Sequence, residues 1–188
     1  MSDNSLTLSL ARLPRALGST MHQDLVWVTP DDLGTPSMSA VPGIPLDVSV
    51  DFTSVEDGVL VQLATSVDLV GECVRCLDEV REHHDVFSAE VYFEAGAPAL
   101  TPSEDDEEVD DLFVIGEHDT VNIEAQLRDA IVPLVDPRPL CSEDCAGLCD
   151  VCGEKWADLP SDHEHFVVDP RLASLASLLG DDAEPGRS

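Results

Sequence analysis

The sequence predicts an α+β domain: an antiparallel β-sheet of about four to six strands, one or two packing helices, and a Cys-rich C-terminal segment. Three observations predict it. Val59, Val61, Leu63, Thr65, Val67 and Leu69 hold one parity over eleven residues, the period of a strand with one buried face. Asp57-Gly58 directly precedes that run, and Asp-Gly between alternating segments marks a hairpin whose glycine is expected at positive φ. Four cysteines crowd between Cys141 and Cys152, too densely for an ordinary loop.

The elements follow in order. Leu6-Thr-Leu-Ser-Leu10 alternates and reads as a short strand. Residues 30–45 carry four prolines and two glycines, which argues for an irregular excursion. Leu46, Val48, Val50 and Phe52 then supply the strand that the Asp57-Gly58 turn joins to the next one. A further antiparallel partner is expected at Phe87, Ala89, Val91 and Phe93. From Gly96 the character changes, and Glu104 to Asp111 holds seven acids in eight residues; like charges repel, so a solvated loop is expected over 96–111. Asn122 can cap a helix in which Ile123, Leu127, Ala130, Ile131 and Leu134 share a face. Pro133, Pro137 and Pro139 end it and lead the chain, extended, into the cysteines. Near the C-terminus Leu172, Leu175, Ala176, Leu178 and Leu179 form another apolar face, opened by Asp169-Pro170 and closed by Gly180. The expected organisation is a β-rich part over 1–95, the acidic loop 96–111, a helix-containing remainder over 112–140, the Cys-rich segment and C-terminal helix over 141–180, and a disordered tail over 181–188.

Composition narrows the function. In 188 residues, nine Lys+Arg face thirty-nine Asp+Glu, a formal charge of −30, while 43% hydrophobic residues are too many for wholesale disorder. Such a charge opposes non-specific attraction to phosphate or anionic lipid, so contact with RNA would need a local basic patch or a basic partner. No apolar stretch approaches the roughly eighteen residues that span a bilayer. The opening Met1-Ser2-Asp3-Asn4 lacks the basic and apolar regions of a secretory signal, so a cytoplasmic protein with no membrane partner is expected. No Ser/His/Asp arrangement, phosphate-binding glycine loop or carboxylate pair stands out. His22, His83, His84 and His118 read as surface histidines, and no catalysis or small-molecule substrate is expected.

In a reducing compartment cysteines serve metal binding or redox work more than structural disulfides. Cys149-Asp-Val-Cys152-Gly153 has the shape of a zinc knuckle, in which two thiolates face one tetrahedral ion and the glycine relieves the backbone beyond them. Cys141 and Cys145 lie just upstream, so one loop could furnish all four ligands, Cys141, Cys145, Cys149 and Cys152, of a closed structural zinc site. His163 and His165 could replace either upstream cysteine. Cys73-Val-Arg-Cys76 could supply a second half-site that meets the later cysteines across the fold, a pair of buried small residues, or a redox pair. The strands before Cys73 read as antiparallel, against the βαβ setting of a thioredoxin-like dithiol.

Gly71-Glu-Cys-Val-Arg-Cys-Leu-Asp-Glu79, Ile131-Val-Pro-Leu-Val135, Pro139-Leu-Cys-Ser-Glu-Asp-Cys-Ala-Gly-Leu-Cys-Asp-Val-Cys-Gly153 and Val168-Asp-Pro-Arg-Leu-Ala-Ser-Leu175 resemble, in order and spacing, the YceD family of large ribosomal RNA subunit accumulation proteins. The resemblance covers roughly residues 5–180. It implies a bacterial, cytoplasmic, non-enzymatic factor in large-subunit ribosome biogenesis that supports accumulation of the large (23S) ribosomal RNA. The implied partners are that RNA, a pre-ribosomal particle or a basic large-subunit ribosomal protein. Many members carry Cys-x-Cys where this chain has His163-Glu-His165; both residue types ligate zinc, so a site of Cys149, Cys152, His163 and His165 is compatible with the exchange. Arg12, Arg15, Arg75, Arg81 and Arg138 are the candidate phosphate contacts, if folding gathers them on one face. The alternatives are a zinc-stabilised acidic adaptor or chaperone unrelated to ribosomes, and a thiol redox enzyme using Cys73 and Cys76.

Overall fold

The computed structural model describes residues 6–97 and 112–165, in two units that divide between Cys145 and Ala146. The acidic run 104–111 and the apolar face around Leu172–Leu179 lie outside the described residues.

The first unit is built on a twisted antiparallel sheet. Its strands are β2 (Thr20–Val28), β3 (Met38–Ala40), β4 (Pro45–Val55), β5 (Gly58–Glu72) and β6 (Glu79–Phe93). The order is β2-β4-β5-β6, with β3 continuing along the edge of β5 that β4 leaves. A second small sheet pairs β1 (Thr7–Ser9) with β7 (Thr120–Asn122). The expected α+β class and cysteine-rich C-terminal region are present, with one short helix, α1 (Glu124–Ile131), among the described residues.

The long run that identified β5 also organises the core. Val59, Val61, Leu63, Val67 and Leu69 are almost fully buried, beside Val48, Val50 and Phe52 of β4 and Trp27 of β2. Each such side chain contributes about 1.5–3 kcal/mol on leaving water, which a strand of alternating parity delivers without burying its polar residues. Helix α1 presents Ile123, Leu127 and Ile131. Asn122 Oδ1 accepts the Glu124 N–H at 3.0 Å, at the start of the helix. On the same face Gln126 is buried because its Nε2 donates to Val61 O (3.0 Å) and Ser88 Oγ (3.2 Å), tying the helix to the β5–β6 hairpin. Tyr92 of β6 stacks on Phe113 at 4.9 Å and donates its hydroxyl to Asn122 O.

Two expectations need correction. The β4–β5 hairpin is where Asp57-Gly58 put it, with Val55 opposite Gly58, but Gly58 is not at positive φ. A Cβ there would strike the Tyr92 carbonyl and Phe93 Cα, so glycine is required by close strand approach. In β6 the strand is where expected but its faces are reversed. Phe87 lies opposite Ala64 and is 68% exposed, while Val80, Val86 and Tyr92 of the other parity enter the core.

The outer face of the sheet is therefore open among the described residues and rich in aspartate. His22 sits between Asp51 (Nδ1, 2.8 Å) and Asp24 (Nε2, 3.2 Å), and His83 has Asp68 at 2.6 Å with Asp85 beyond at 3.9 Å. Hydrogen bonds donated to the Asp51 and Asp24 carboxylates raise the His22 pKa above the ordinary 6.5, and the bond to Asp68 does the same for His83. Both nitrogens of His22 facing carboxylates favour the imidazolium, the only form that donates from both.

Two outcomes follow. Gly58→Ala should lower stability by about 2 kcal/mol, as overpacking against backbone does, read as a lower urea midpoint with unchanged slope. His22 and His83 should titrate above 6.5 by NMR, with Asp51→Asn returning His22 toward the ordinary value. Their contribution to stability is complete below the unfolded-state pKa and drains away as pH rises through the raised one.

Candidate metal centres

The β5–β6 ladder runs without interruption from Gly58–Phe93 to Glu72–Glu79, so the loop closing this hairpin is Cys73–Asp78 itself. Within it the Cys73 N–H donates to Asp78 O (2.7 Å) and the Leu77 N–H to Cys73 O (2.9 Å). The second unit repeats the scheme: the Cys149 N–H donates to Glu154 O (2.7 Å) and the Gly153 N–H to Cys149 O (2.8 Å). Both are knuckles, two cysteines followed by a residue in the left-handed region. Gly153 has φ 76° and Leu77 has φ 63°.

Each knuckle has two companions. Cys73, Cys76, Cys141 and Cys145 form one group and Cys149, Cys152, His163 and His165 another, and in each the four ligand atoms lie within 4.8 Å of one another. In the first, Cys73 Sγ is 3.7 Å from Cys145 Sγ and Cys76 Sγ is 3.5 Å from Cys141 Sγ. Sulfurs bound at about 2.3 Å to a tetrahedral ion stand about 3.8 Å apart, whereas a disulfide needs about 2.05 Å. In the second, Cys152 Sγ is 3.5 Å from His163 Nε2, and the rings of His163 and His165 meet edge to face at 4.4 Å. The chemistry of both donor sets, four thiols or two thiols and two imidazoles, fits a tetrahedral metal ion.

The expected single site of Cys141, Cys145, Cys149 and Cys152 is thus divided. Each knuckle already aims two sulfurs at one point, so it needs only one further pair. Cys141 and Cys145 complete the first knuckle, and His163 and His165 complete the second. The Cys141 loop is fastened to its knuckle directly. The Val74 N–H donates to Pro139 O (3.0 Å), and Arg75 Nη1 donates to Glu143 O (3.2 Å) and Cys145 O (2.9 Å).

Electrostatics in the first group favour thiolate on Cys73 and thiol on Cys76 and Cys141. The backbone N–H of Cys141, with those of Arg75 and Cys76, holds the Cys73 pKa down to about 6 against the opposing effect of burial. At Cys76 the Asp78 backbone N–H pulls down, but burial and the thiols of Cys141, Cys73 and Cys145 outweigh it and push the value up. Cys141 is also raised; its bond to Cys76 lowers it, but Cys145, burial and Cys73 prevail. In the second group, N–H groups of Cys152 and Val151 lower Cys149. Four sulfurs this close cannot all ionise without a cation among them.

The five arginines do not gather. Arg15 is held by Asp119 (2.6 Å) and Glu94 (3.1 Å), beside the Phe93 end of the β5–β6 hairpin. Arg75 lies in the loop at its other end, on the order of 40 Å away at about 3.3 Å per residue. Arg81 is paired with Glu79 at 2.7 Å. Arg12 and Arg138 are exposed. Sequence reasoning missed the αL role of Leu77, because a leucine gives no signal there; the parallel with Gly153, four residues after the first cysteine of its pair, was the available clue.

Leu77 is 61% exposed, so glycine there forfeits little burial. Relief of about 1–2 kcal/mol of left-handed strain exceeds the about 0.5–1 kcal/mol entropic cost of glycine. Leu77→Gly should therefore raise the thermal midpoint by a few degrees in calorimetry, whereas Gly153→Leu should weaken metal retention by its knuckle.

Comparison with known proteins places the chain. The family described as "Large ribosomal RNA subunit accumulation protein YceD" matches residues 61–179, a span that includes every ligand candidate. Uncharacterized proteins of Mycobacterium tuberculosis and Mycobacterium bovis are each 32% identical over 179 residues, 95% of this chain and 84% of theirs. One from Mycobacterium leprae is 31% identical over 143 residues, 74% of this chain and 62% of its own. No solved structure matches. With a family match over more than half its length and relatives that align along nearly all of it, this chain belongs to the YceD family of large ribosomal RNA subunit accumulation proteins.

Proposed function

We propose that the protein is a non-enzymatic, cytoplasmic factor in large-subunit ribosome biogenesis, supporting accumulation of the 23S RNA by contact with a component of the assembling particle. The family match carries this reading. Two zinc ions are its structural cofactors, one held by Cys73, Cys76, Cys141 and Cys145 and one by Cys149, Cys152, His163 and His165. In such closed sites zinc supplies cross-linking and charge neutralisation, and no open position for a substrate. The first ion ties the tip of the β5–β6 hairpin to a loop more than sixty residues later in the chain, a long closure whose entropic cost the metal offsets.

A basic large-subunit ribosomal protein is the favoured direct partner over rRNA. The chain carries −30, and of the five candidate arginines Arg15 and Arg81 are ion-paired to acids while Arg75 is spent on loop carbonyls. Among the described residues no helix is long and apolar enough to cross a membrane.

A dithiol redox role is the second reading, favoured by the lowered Cys73 pKa. Against it, Cys73 is fully buried, which keeps an external disulfide from the nucleophile that this chemistry needs.

Elemental analysis of the purified chain should give two zinc per molecule. Cys73→Ser and His163→Gln should each give one, with a lowered thermal midpoint for Cys73→Ser. A variant that sheds both ions, or neither, contradicts two independent sites. Affinity capture from lysate should recover large-subunit components, and nuclease treatment should leave a basic ribosomal protein bound; complete release by nuclease would favour direct RNA binding, and recovery of no large-subunit component would overturn the assignment.

A further inference from the structure

We propose that the outer face of the β2-β4-β5-β6 sheet is a docking surface for an arginine-bearing basic polypeptide, centred on Phe87. This rests on the protein-partner reading above and names where that partner binds.

The strand registers put Asp24, Ser49, Ala64 and Phe87 in one row across the four strands. His22, Asp51, Gln62 and Ala89 form the next row. Two of the neighbours nearest to Phe87 are small: Ala64 lies opposite it and Ala89 two residues along, with Asp85 two residues before it. The ring therefore stands clear of the sheet at 68% exposure. An unbroken apolar parity, Phe87, Ala89, Val91 and Phe93, faces away from the core that its pattern would suit. Large aromatics displayed this way are typical of the centre of an interaction surface.

The surroundings choose the occupant. Asp24, Asp47, Asp51, Asp68 and Asp85 all lie on this face, where Arg81 is already paired with Glu79 and His22 and His83 offset only part of the charge. A guanidinium laid on the Phe87 ring would gain the attraction of the ring face and a carboxylate partner at Asp85 or Asp24. A base stacked on the same ring would bring its phosphates against five carboxylates, a repulsion that leaves RNA disfavoured.

Beside this row the sheet has a gap. β4 pairs with β5 only as far as Ala64, and β3 takes over at Leu69, so residues 65–68 have no ladder partner on that edge. The opening is a cavity of about 390 Å³ lined by Ile44, Asp47, Ser66, Asp68 and His83 among others. Its rim carries Asp47 and Asp68 together with Arg81 and His83, so the cavity adds an apolar wall at Ile44 for an aliphatic stem and no excess of acid beyond that of the sheet face.

The test is fluorescence anisotropy of a labelled arginine-rich dodecapeptide containing one leucine, titrated with the full zinc-loaded chain at physiological salt. Phe87→Ala and the double variant Asp68→Asn/Asp85→Asn should each weaken binding about tenfold, with Phe87→Tyr close to the native chain. Asp105→Asn/Asp106→Asn removes the same two charges from the acidic run and should change it less than about twofold. Phe87, Asp68 and Asp85 are exposed, so circular dichroism and zinc content of the variants at these positions should stay native. Equal weakening by both double variants would reduce the effect to bulk charge and overturn the proposal, as would an unbound peptide. An RNA oligonucleotide that binds and is lost in Phe87→Ala would overturn it in favour of base stacking. If lysate capture keeps its basic protein without nuclease-resistant RNA while these variants bind the peptide normally, the surface is wrong and the protein-partner reading stands.

Discussion

The constraint on which the rest of the structure depends is the closure of the β5–β6 hairpin by a cysteine knuckle. Two fifteen-residue strands must be joined at their far end by a six-residue loop, and that loop spends its backbone on holding two sulfurs side by side. The Cys73 N–H to Asp78 O bond and the Leu77 N–H to Cys73 O bond fix the turn. The N–H groups left over point at sulfur and lower the cost of a thiolate there. Everything around the site answers to this arrangement. The proline run after α1 brings the 141–145 loop within reach, Arg75 latches it through two carbonyls, and the buried core face of β5 anchors the other end of the lever.

The same turn recurs at Cys149–Glu154 with histidines in place of the second cysteine pair. The two centres differ in donors more than in setting: the first has Cys73 and Cys76 buried and Cys141 exposed, and the second has Cys149 buried and Cys152 and His165 exposed. A chain with nine basic and thirty-nine acidic residues gains little from general electrostatic attraction to RNA. Its ordered surface instead offers an aspartate-rich sheet with one displayed aromatic, a character that suits a factor recognising protein within a nucleoprotein assembly.

How much of this was legible in the sequence depends on how local each signal is. β4 and β5 were readable because one face of each is packed, from Val48 to Phe52 and from Val59 to Leu69 with only Thr65 half buried. β2 was not, because its inward positions Met21, Gln23 and Leu25 are only half buried and Gln23 breaks the apolar parity. β3 and β7, at three residues each, are too short to carry a period. In β6 the competing parities Phe87-Ala89-Val91 and Val86-Tyr92 could be ranked only by the register to β5. Of the ligand sets, the knuckle at Cys149 was local and visible. The partnership of Cys73 and Cys76 with Cys141 and Cys145 spans a sequence separation of sixty-five residues or more, which no spacing rule encodes. The arginines failed to converge for the same reason: the fold sets Arg15 beside one end of the β5–β6 hairpin and Arg75 in the loop at the other.

The most direct test of the account is zinc K-edge absorption spectroscopy of the full chain loaded with zinc. Six sulfurs and two nitrogens shared by two ions predict an average of three sulfurs at about 2.3 Å and one nitrogen at about 2.0 Å per zinc. A pure four-sulfur shell, or an average of two sulfurs and two nitrogens, would contradict the paired knuckles.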